Sequence, residues 1–250
     1  MQDHFNKNWK TKFFSIWMGQ AFSLLGSQIV QFTLIWYLTK ETGSAAVLAT
    51  STLVSLLPTV FLAPFIGSLV DRFDRKHIMM VSDLMIALVT LILIILFKID
   101  RIEIWHIYVA LFLRELGSAF HWPSMMSSTT LLVPNEQITR VEGMNQSVRG
   151  LLNVVGPPFA AILLNVWPIH NILFIDIITA CFAVLPLYLV NIPRPSNSNN
   201  QKLNSVKELL DDIRGGFQYL RDWKGMFLLI LGATLINFLV NPGFTLTPLL

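Results

Sequence analysis

The sequence predicts an all-α membrane protein, and three observations lead to this fold class. Of its 250 residues, 54% are hydrophobic and only 13% are charged, a balance too apolar for an ordinary soluble domain of this length. Apolar stretches of about 20 residues, the length that a helix needs to cross a bilayer, follow one another along the chain. The charged residues collect mainly between these stretches. We therefore expect a bundle of membrane-spanning helices.

Seven apolar segments are the expected helices, in chain order. They run over about residues 13–38, 46–70, 77–97, 105–132, 140–164, 172–191 and 225–248. The first is far longer than a signal-peptide core of roughly 7 to 15 residues, so we expect it to stay in the mature protein. The seventh is followed by an apolar end without a polar tail, which predicts a truncation within or just after this helix.

The domain organisation follows from the one long polar segment. We predict a six-helix domain over 1–191, a linker over 192–224 and the first helix of an incomplete C-terminal domain over 225–250. The linker opens with a helix-breaking run from Pro193 to Asn200. Apolar residues then recur at three-to-four spacing, which predicts an amphipathic helix on the membrane surface, with a partner-binding helix as the alternative.

The basic residues predict the orientation in the membrane. Thirteen of the 18 Lys and Arg residues fall on one side of the predicted spans, and only Lys40, Lys98 and Arg101 fall on the other. Because cytoplasmic loops are enriched in Lys and Arg, the N-terminus is expected in the cytoplasm. The same bias explains the net charge of +3 without a nucleic-acid partner. Cys181 is the single cysteine, so neither an intramolecular disulfide nor a Cys-based metal site is predicted.

Polar residues form stripes on three of the predicted spans. Glu142, Gln146, Arg149, Asn153 and Gly156 recur at steps of three and four on the fifth span, which confines them to one helix face. Similar stripes lie on the first and fourth spans. Ionisable groups inside a bilayer usually face a cavity or a partner. The predicted substrate-cavity residues are Gln20, Ser27, Gln31, His121, Met125, Gln146 and Asn153.

Two alternatives remain open for these stripes. The polar side chains can line a water-filled pathway, or they can join neighbouring helices by hydrogen bonds. The third span has only Ser82, Asp83 and Thr90 as polar residues, so we expect it to face lipid.

A charged turn between the second and third spans carries a family resemblance. Five charges lie within the ten residues from Gly67 to Lys76. We expect Gly67 to let two helices approach closely and Asp71 to cap a helix N-terminus. The run resembles the loop signature of the major facilitator superfamily, G-x-L-x-D-R/K-x-G-R-R/K, with Asp74 in place of the second Gly. The matching positions are Gly67, Leu69, Asp71, Arg72, Arg75 and Lys76.

Two further motifs are similar to signatures of the same superfamily. Arg114 with Gly117 resembles the fourth-helix motif, whose arginine is implied to influence proton movement. Gly143, Gly156 and Pro157 resemble the fifth-helix antiporter motif, in which small residues allow close packing and proline favours a kink. The candidates for proton coupling or for the pathway are Arg114, Glu115, Glu142, Arg149 and Asp176, with Asp83 as a further titrating partner.

The resemblance implies a fold and a function. The superfamily has two six-helix halves, each a 3+3 inverted repeat, around a central cavity. This chain is expected to supply the N-terminal six-helix bundle and a partial seventh helix. The charged turn would dock on the C-terminal half, supplied by the same gene or by a partner chain. Patterns such as Ala119-Phe-His121-x-Pro123 look like the bacterial macrolide-efflux branch, which implies export of macrolides or similar drugs in exchange for protons across the bacterial plasma membrane.

Other function classes find less support in the sequence. There is no phosphate-binding loop of the G-x-x-x-x-G-K-S/T type for ATP-driven transport, and neither a hydrolase nucleophile elbow nor a HExxH motif. We therefore expect neither an enzyme nor a protein that needs a cofactor or metal. The partners expected are the lipid bilayer, a small-molecule drug and protons. The alternatives are an exporter of another substrate, such as a siderophore, and a non-transporting seven-helix membrane protein.

Overall fold

Seven helices account for most of the described part of the chain. The computed structural model describes residues 9–190, 192, 214–216, 218, 219, 221 and 223–246. The helices are α1 (Trp9–Thr42), α2 (Ala45–Arg72), α3 (Arg75–Lys98), α4 (Ile104–Leu132), α5 (Asn135–Val166), α6 (Ile169–Leu189) and α7 (Lys224–Leu246). The all-α fold class is confirmed. Most of the predicted amphipathic helix in the linker lies outside the described residues, and the domain boundaries stay predictions.

Within the described part of the chain, five helices are long and apolar enough to cross a membrane, namely α1, α2, α3, α5 and α6. The helix α4 has 29 residues, but charged and polar residues such as Arg114, Glu115 and His121 interrupt its apolar sequence. An apolar helix segment, Gly225–Asn237, lies within α7. Each of the helices α1 to α6 overlaps one predicted span. Most of them extend a few residues beyond it, because the helix continues from the apolar segment into the flanking polar residues.

Short turns connect the first six helices, and local capping explains where several begin. The Ser44 side chain accepts a hydrogen bond from the backbone N–H of Val47 at the start of α2. The preceding Gly43 has a φ of +57°, a left-handed conformation that glycine adopts without steric cost just after a helix. Pro134 and Pro168 stand at the N-cap positions of α5 and α6.

The core lies where α1, α3, α4 and α6 pack together. One apolar cluster includes Val30, Leu34, Leu93, Leu111 and Leu173, which come from these four helices. The helices α1 and α6 approach closely at Gly19, where an added Cβ would lie 2.5 Å from the backbone oxygen of Phe182. The bundle therefore depends on small residues at this helix crossing.

Large apolar side chains cover the outside of the bundle. Leu53, Val60 and Phe61 on α2 are exposed, as are Val154 and Ile162 on α5. In a water-soluble protein such faces would be unfavourable, but in a bilayer they contact lipid or another membrane helix.

The expectation that the third span only faces lipid is wrong for one side of α3. Val81, Leu84 and Leu88 are exposed, as a lipid-facing side requires, whereas Ser82, Asp83 and Thr90 are buried. The helix α3 packs on both α4 and α6. Its few polar residues therefore point into the bundle, where Asp83 and Thr90 find hydrogen-bonding partners.

Candidate functional site

A cavity of about 610 Å³ opens inside the bundle, lined by α1 to α5. This volume lies within the range of small-molecule binding sites, roughly 300 to 1,000 Å³. Neutral polar side chains from α1 form one wall, and the ionisable residues come from α3, α4 and α5. The lining residues that the sequence had singled out are Gln20, Ser27, Gln31, Gly67, Asp83, Arg114, Glu115, His121 and Arg149.

A buried ion pair lies beside the cavity. Arg114 Nη1 on α4 donates to Asp176 Oδ2 on α6 at 2.5 Å, and the two residues are only 4% and 1% exposed. Thr90 Oγ1 lies 2.7 Å from the same carboxylate oxygen and is also contacted by Arg114. Ser27 Oγ on α1 donates to Asp176 Oδ1 at 3.0 Å. Asp176 thus joins four helices, and its charge is balanced by a permanent cation.

A second buried cluster lies on the cavity wall where α1, α3 and α4 meet. Gln20 Nε2 donates to Asp83 Oδ2 at 3.1 Å. His121 Nε2 lies 3.5 Å from Asp83 Oδ1. All three residues line the cavity, so this carboxylate faces the site without an arginine partner among the described residues.

Two charged residues on the lining of the same cavity contact neutral partners. The Glu115 carboxylate accepts a hydrogen bond from Thr59 Oγ1 at 2.8 Å. The Arg149 guanidinium on α5 lies over the ring of Trp122 on α4, 3.7 Å from the ring centroid, which is a cation–π contact. Because neither charge is locked into a direct ion pair within the described part of the chain, both can interact with a bound molecule.

Residues 16–250 match the Major Facilitator Superfamily. The chain belongs to this superfamily. The six-helix bundle and its cavity are consistent with membership, and the chain is a multi-pass membrane protein.

The chain is similar in sequence to curated relatives, two of which are named as efflux proteins. It is 40% identical over 244 residues to Macrolide efflux protein A of Streptococcus pyogenes, covering 97% of this chain and 59% of the relative. It is 38% identical over 209 residues to Macrolide efflux protein A of Enterococcus faecalis, covering 83% and 63%. It is 26% identical over 248 residues to the uncharacterized MFS-type transporter YkuC of Bacillus subtilis, covering 98% and 56%. The chain thus spans less than two thirds of the length of these relatives.

The superfamily turn between α2 and α3 has a different geometry from the one expected. Asp71 lies in the last turn of α2 and accepts from Arg75 Nη2 at 3.1 Å. Asp74 is the N-cap of α3 and accepts from the backbone N–H of Lys76 at 3.0 Å. The expectation that Asp71 caps a helix N-terminus is therefore wrong. The residue that departs from the superfamily pattern takes that role, since Asp is a preferred N-cap.

The structure also shows the surroundings of the other turn residues that match the superfamily signature. An added Cβ at Gly67 would meet none of the described atoms within 4 Å, so Gly67 does not mark a close helix approach here. It lines the cavity instead. Lys76 Nζ donates to the backbone oxygens of Tyr188 at 3.1 Å and Val190 at 2.9 Å. The last carbonyl groups of a helix have no hydrogen-bond partner within that helix, so Lys76 links this turn to the end of α6.

The helix α2 ends at Arg72. Just beyond this end, the backbone N–H of Phe73 donates to the backbone oxygen of Leu69.

Several predicted cavity residues lie elsewhere. Met125 belongs to a buried apolar cluster with Phe13 and Met79. It is not among the residues that line the cavity, although it lies in the polar stripe of α4. Gln146 and Glu142 are not among the lining residues. Asn153 accepts from Gln28 at 3.0 Å, and Gln28 lines the cavity. The Asn153 side chain therefore joins α5 to α1 by a hydrogen bond.

The antiporter-like motif on α5 is only partly a packing surface. An added Cβ at Gly156 would lie 3.2 Å from Gln28 Cβ on α1, whereas one at Gly143 would meet none of the described atoms within 4 Å. Pro157 lies inside α5, which continues to Val166.

Sequence reasoning missed Thr59, Thr90 and Trp122. Thr59 and Thr90 lie on mainly apolar spans, where no periodic pattern points to them. Trp122 was not singled out, although it follows His121 directly in the motif that resembles the macrolide-efflux branch. A Trp near mid-span, away from the interfaces that Trp prefers, was the available signal.

Proposed function

We propose that this chain forms the N-terminal half of a secondary active transporter that exports macrolides or similar amphipathic drugs in exchange for protons. The observation that carries the proposal is the cavity of about 610 Å³ with Glu115 and Arg149 on its lining. Likeness to two proteins named Macrolide efflux protein A supports the substrate class. The remainder of the transporter would come from the same gene or from a partner chain.

The lining suits a large amphipathic compound. Apolar residues such as Leu24, Ile66 and Ile86 line the cavity together with Gln28, Gln31 and Ser118. Amphipathic molecules need such mixed walls, because apolar surface supplies most of the burial and a few polar groups fix the orientation. Glu115 provides a carboxylate for a basic group on the drug, and Trp122 provides a ring face that can contact a cation.

Proton exchange is proposed on the basis of ionisable groups beside the cavity. Asp176, Glu115 and Asp83 are carboxylates on three different helices, and a transporter without ATP must couple export to an ion gradient. Arg114 and Asp176 balance each other's charge as long as the pair stays closed. Opening the pair during transport would let a proton bind. In this scheme the N-terminus and the α2–α3 turn lie in the cytoplasm.

Everted membrane vesicles that contain the product of the complete gene test the proposal. Macrolide accumulation in these vesicles should require a proton gradient and should stop when a protonophore is added. Arg149→Ala should reduce the transport at least tenfold, because the cavity loses the cation over Trp122. Arg140→Ala is the matched control, since Arg140 lies on the same helix and is exposed away from the cavity. Wild-type transport in Arg149→Ala would remove Arg149 from the mechanism, and gradient-independent transport would overturn proton coupling.

A further inference from the structure

Asp83 is a buried carboxylate whose charge is balanced by no Lys or Arg side chain of the described residues. It is 4% exposed, and within the described part of the chain the only basic side chain within 4.0 Å of its carboxylate is His121. Gln20 Nε2 supplies one neutral hydrogen bond. An isolated carboxylate in a low-dielectric environment is unfavourable, so Asp83 differs from Asp176, which has a permanent arginine partner. A proton is the simplest charge that can neutralise it.

His121 is placed to share that proton. Its Nε2 lies 3.5 Å from Asp83 Oδ1, and the residue is 5% exposed. This nitrogen is buried and forms no hydrogen bond with any described residue. A small side-chain rotation would bring the two atoms into hydrogen-bonding distance. The pair is neutral with one proton, either as a carboxylic acid with neutral imidazole or as a carboxylate with imidazolium.

Gln20 can serve both protonation states of Asp83. Its Nε2 donates to the carboxylate, while its Oε1 is buried and has no hydrogen-bond partner among the described residues. A glutamine amide carries both donors and an acceptor. Rotation of the amide therefore replaces a donor to the carboxylate with an acceptor for the carboxylic acid proton. The free oxygen is what a site that alternates between these two states requires.

Among the described residues, the charged side chains that line the cavity near Asp83 on the neighbouring helices contact other partners. On α4, Arg114 is paired with Asp176 of α6, and Glu115 accepts from Thr59. On α5, Arg149 lies over Trp122. The cavity residues of α1 and α2 are all uncharged. Loss of the proton from the Asp83–His121 pair would therefore leave one net negative charge on the cavity wall, where a cationic drug could balance it.

We propose that Asp83 and His121, with Gln20, form a proton-binding site in which the proton and a cationic drug alternate. The proton moves from water in the cavity to His121 Nε2 or to an Asp83 carboxylate oxygen, and it returns to water when the drug's cation enters. This inference deepens the proposed function and rests on it for the drug, while proton binding itself can be measured without transport.

Infrared difference spectroscopy of the full-length protein in lipid tests proton binding directly. Lowering the pH should produce the C=O stretching band of a protonated carboxylic acid, and Asp83→Asn should lose one component of this band. His121→Gln should change the pH at which that component appears, because the two groups titrate as a pair. Glu136→Gln is the control, since Glu136 is exposed at the start of α5. A spectrum of Asp83→Asn identical to wild type in the carboxylic acid, carboxylate and imidazole bands, or an unchanged midpoint in His121→Gln, overturns the proposal.

A second measurement separates this proposal from the proposed function. Erythromycin, as a macrolide probe with a basic amine, is added to lightly buffered protein that contains a pH-sensitive dye. Wild type should release protons on binding, and Asp83→Asn should release about one fewer per chain. Equal release by both proteins overturns the role of Asp83 in exchange. Gradient-independent macrolide transport by wild type overturns the proposed function, whereas the infrared result stands independently of it.

Discussion

Arg114 on α4 and Asp176 on α6 lie 62 residues apart in the chain and form a buried ion pair. Thr90 and Ser27 complete the hydrogen bonding of the carboxylate from α3 and α1. One carboxylate therefore joins four helices near the centre of the bundle. Removing one partner of such a buried pair is costly, so the pair is a structural link between α4 and α6.

Removing one partner of this pair should destabilise the protein strongly. Asp176→Asn should lower the free energy of unfolding by about 3 to 5 kcal/mol, because Arg114 would be left as an uncompensated buried charge. The double variant Arg114→Met with Asp176→Leu should be closer to wild type, since no charge stays buried. Thermal unfolding of the purified protein in detergent would measure both.

The control for this comparison is Glu136→Gln, which removes the charge of an exposed carboxylate in the first turn of α5. It should change the stability by less than about 1 kcal/mol. A double variant as unstable as Asp176→Asn alone would contradict the assignment of the loss to an unpaired charge.

The close approach of α1 and α6 predicts a glycine that cannot be replaced. Gly19→Ala should cost about 1 to 3 kcal/mol, because the added methyl would lie 2.5 Å from the backbone oxygen of Phe182 and the helices would have to move apart. Gly150→Ala on α5 is the matched control, since its methyl would meet none of the described atoms within 4 Å. Alanine there should be neutral or stabilising by up to about 1 kcal/mol. Equal stability of the two variants would argue against this helix crossing.

The N-cap of α3 explains why Asp replaces Gly in the superfamily turn. Asp74→Ala should lower stability by about 1 kcal/mol, whereas Asp74→Gly should cost only a few tenths and Asp74→Asn should retain the cap. Chemical denaturation of the three variants under the same conditions would rank them. If the alanine variant matched wild type, the hydrogen bond from Lys76 N to Asp74 would not stabilise α3.

Cysteine labelling would test the orientation that the basic residues predict. In a Cys181→Ser background, Arg101→Cys should react with a membrane-impermeant maleimide in intact cells, because this turn lies on the side with few basic residues. Phe73→Cys, which lies in the basic turn and is exposed, should react only after permeabilisation. The reverse pattern would place the N-terminus outside.

The helices were predictable from sequence because their signals are local. Each apolar segment is long enough to cross a bilayer, and its backbone groups must be satisfied within the helix. The bounds were less accurate because helices extend into the polar interface. The helix α1, for example, begins at Trp9 and ends at Thr42, beyond the apolar residues at both ends.

The candidate site was predictable only as a set of residues. Helical periodicity assigned Arg114 and His121 to one face of α4, and both line the cavity. The same periodicity assigned Met125, which packs in the core with Phe13 and Met79. A stripe defines an angle around one helix, but α4 has neighbours on several sides, so part of a polar stripe can face another helix.

Composition, span length and charge distribution thus determine from the sequence alone that this is a multi-pass helical membrane protein, and the charged turn identifies its superfamily. These properties depend on residues that are neighbours in the chain. The pairing of Arg114 with Asp176, and of Asp83 with His121 and Gln20, was decided only by the tertiary structure. Such contacts join different helices, and they depend on how each helix is rotated and packed, which no single span encodes.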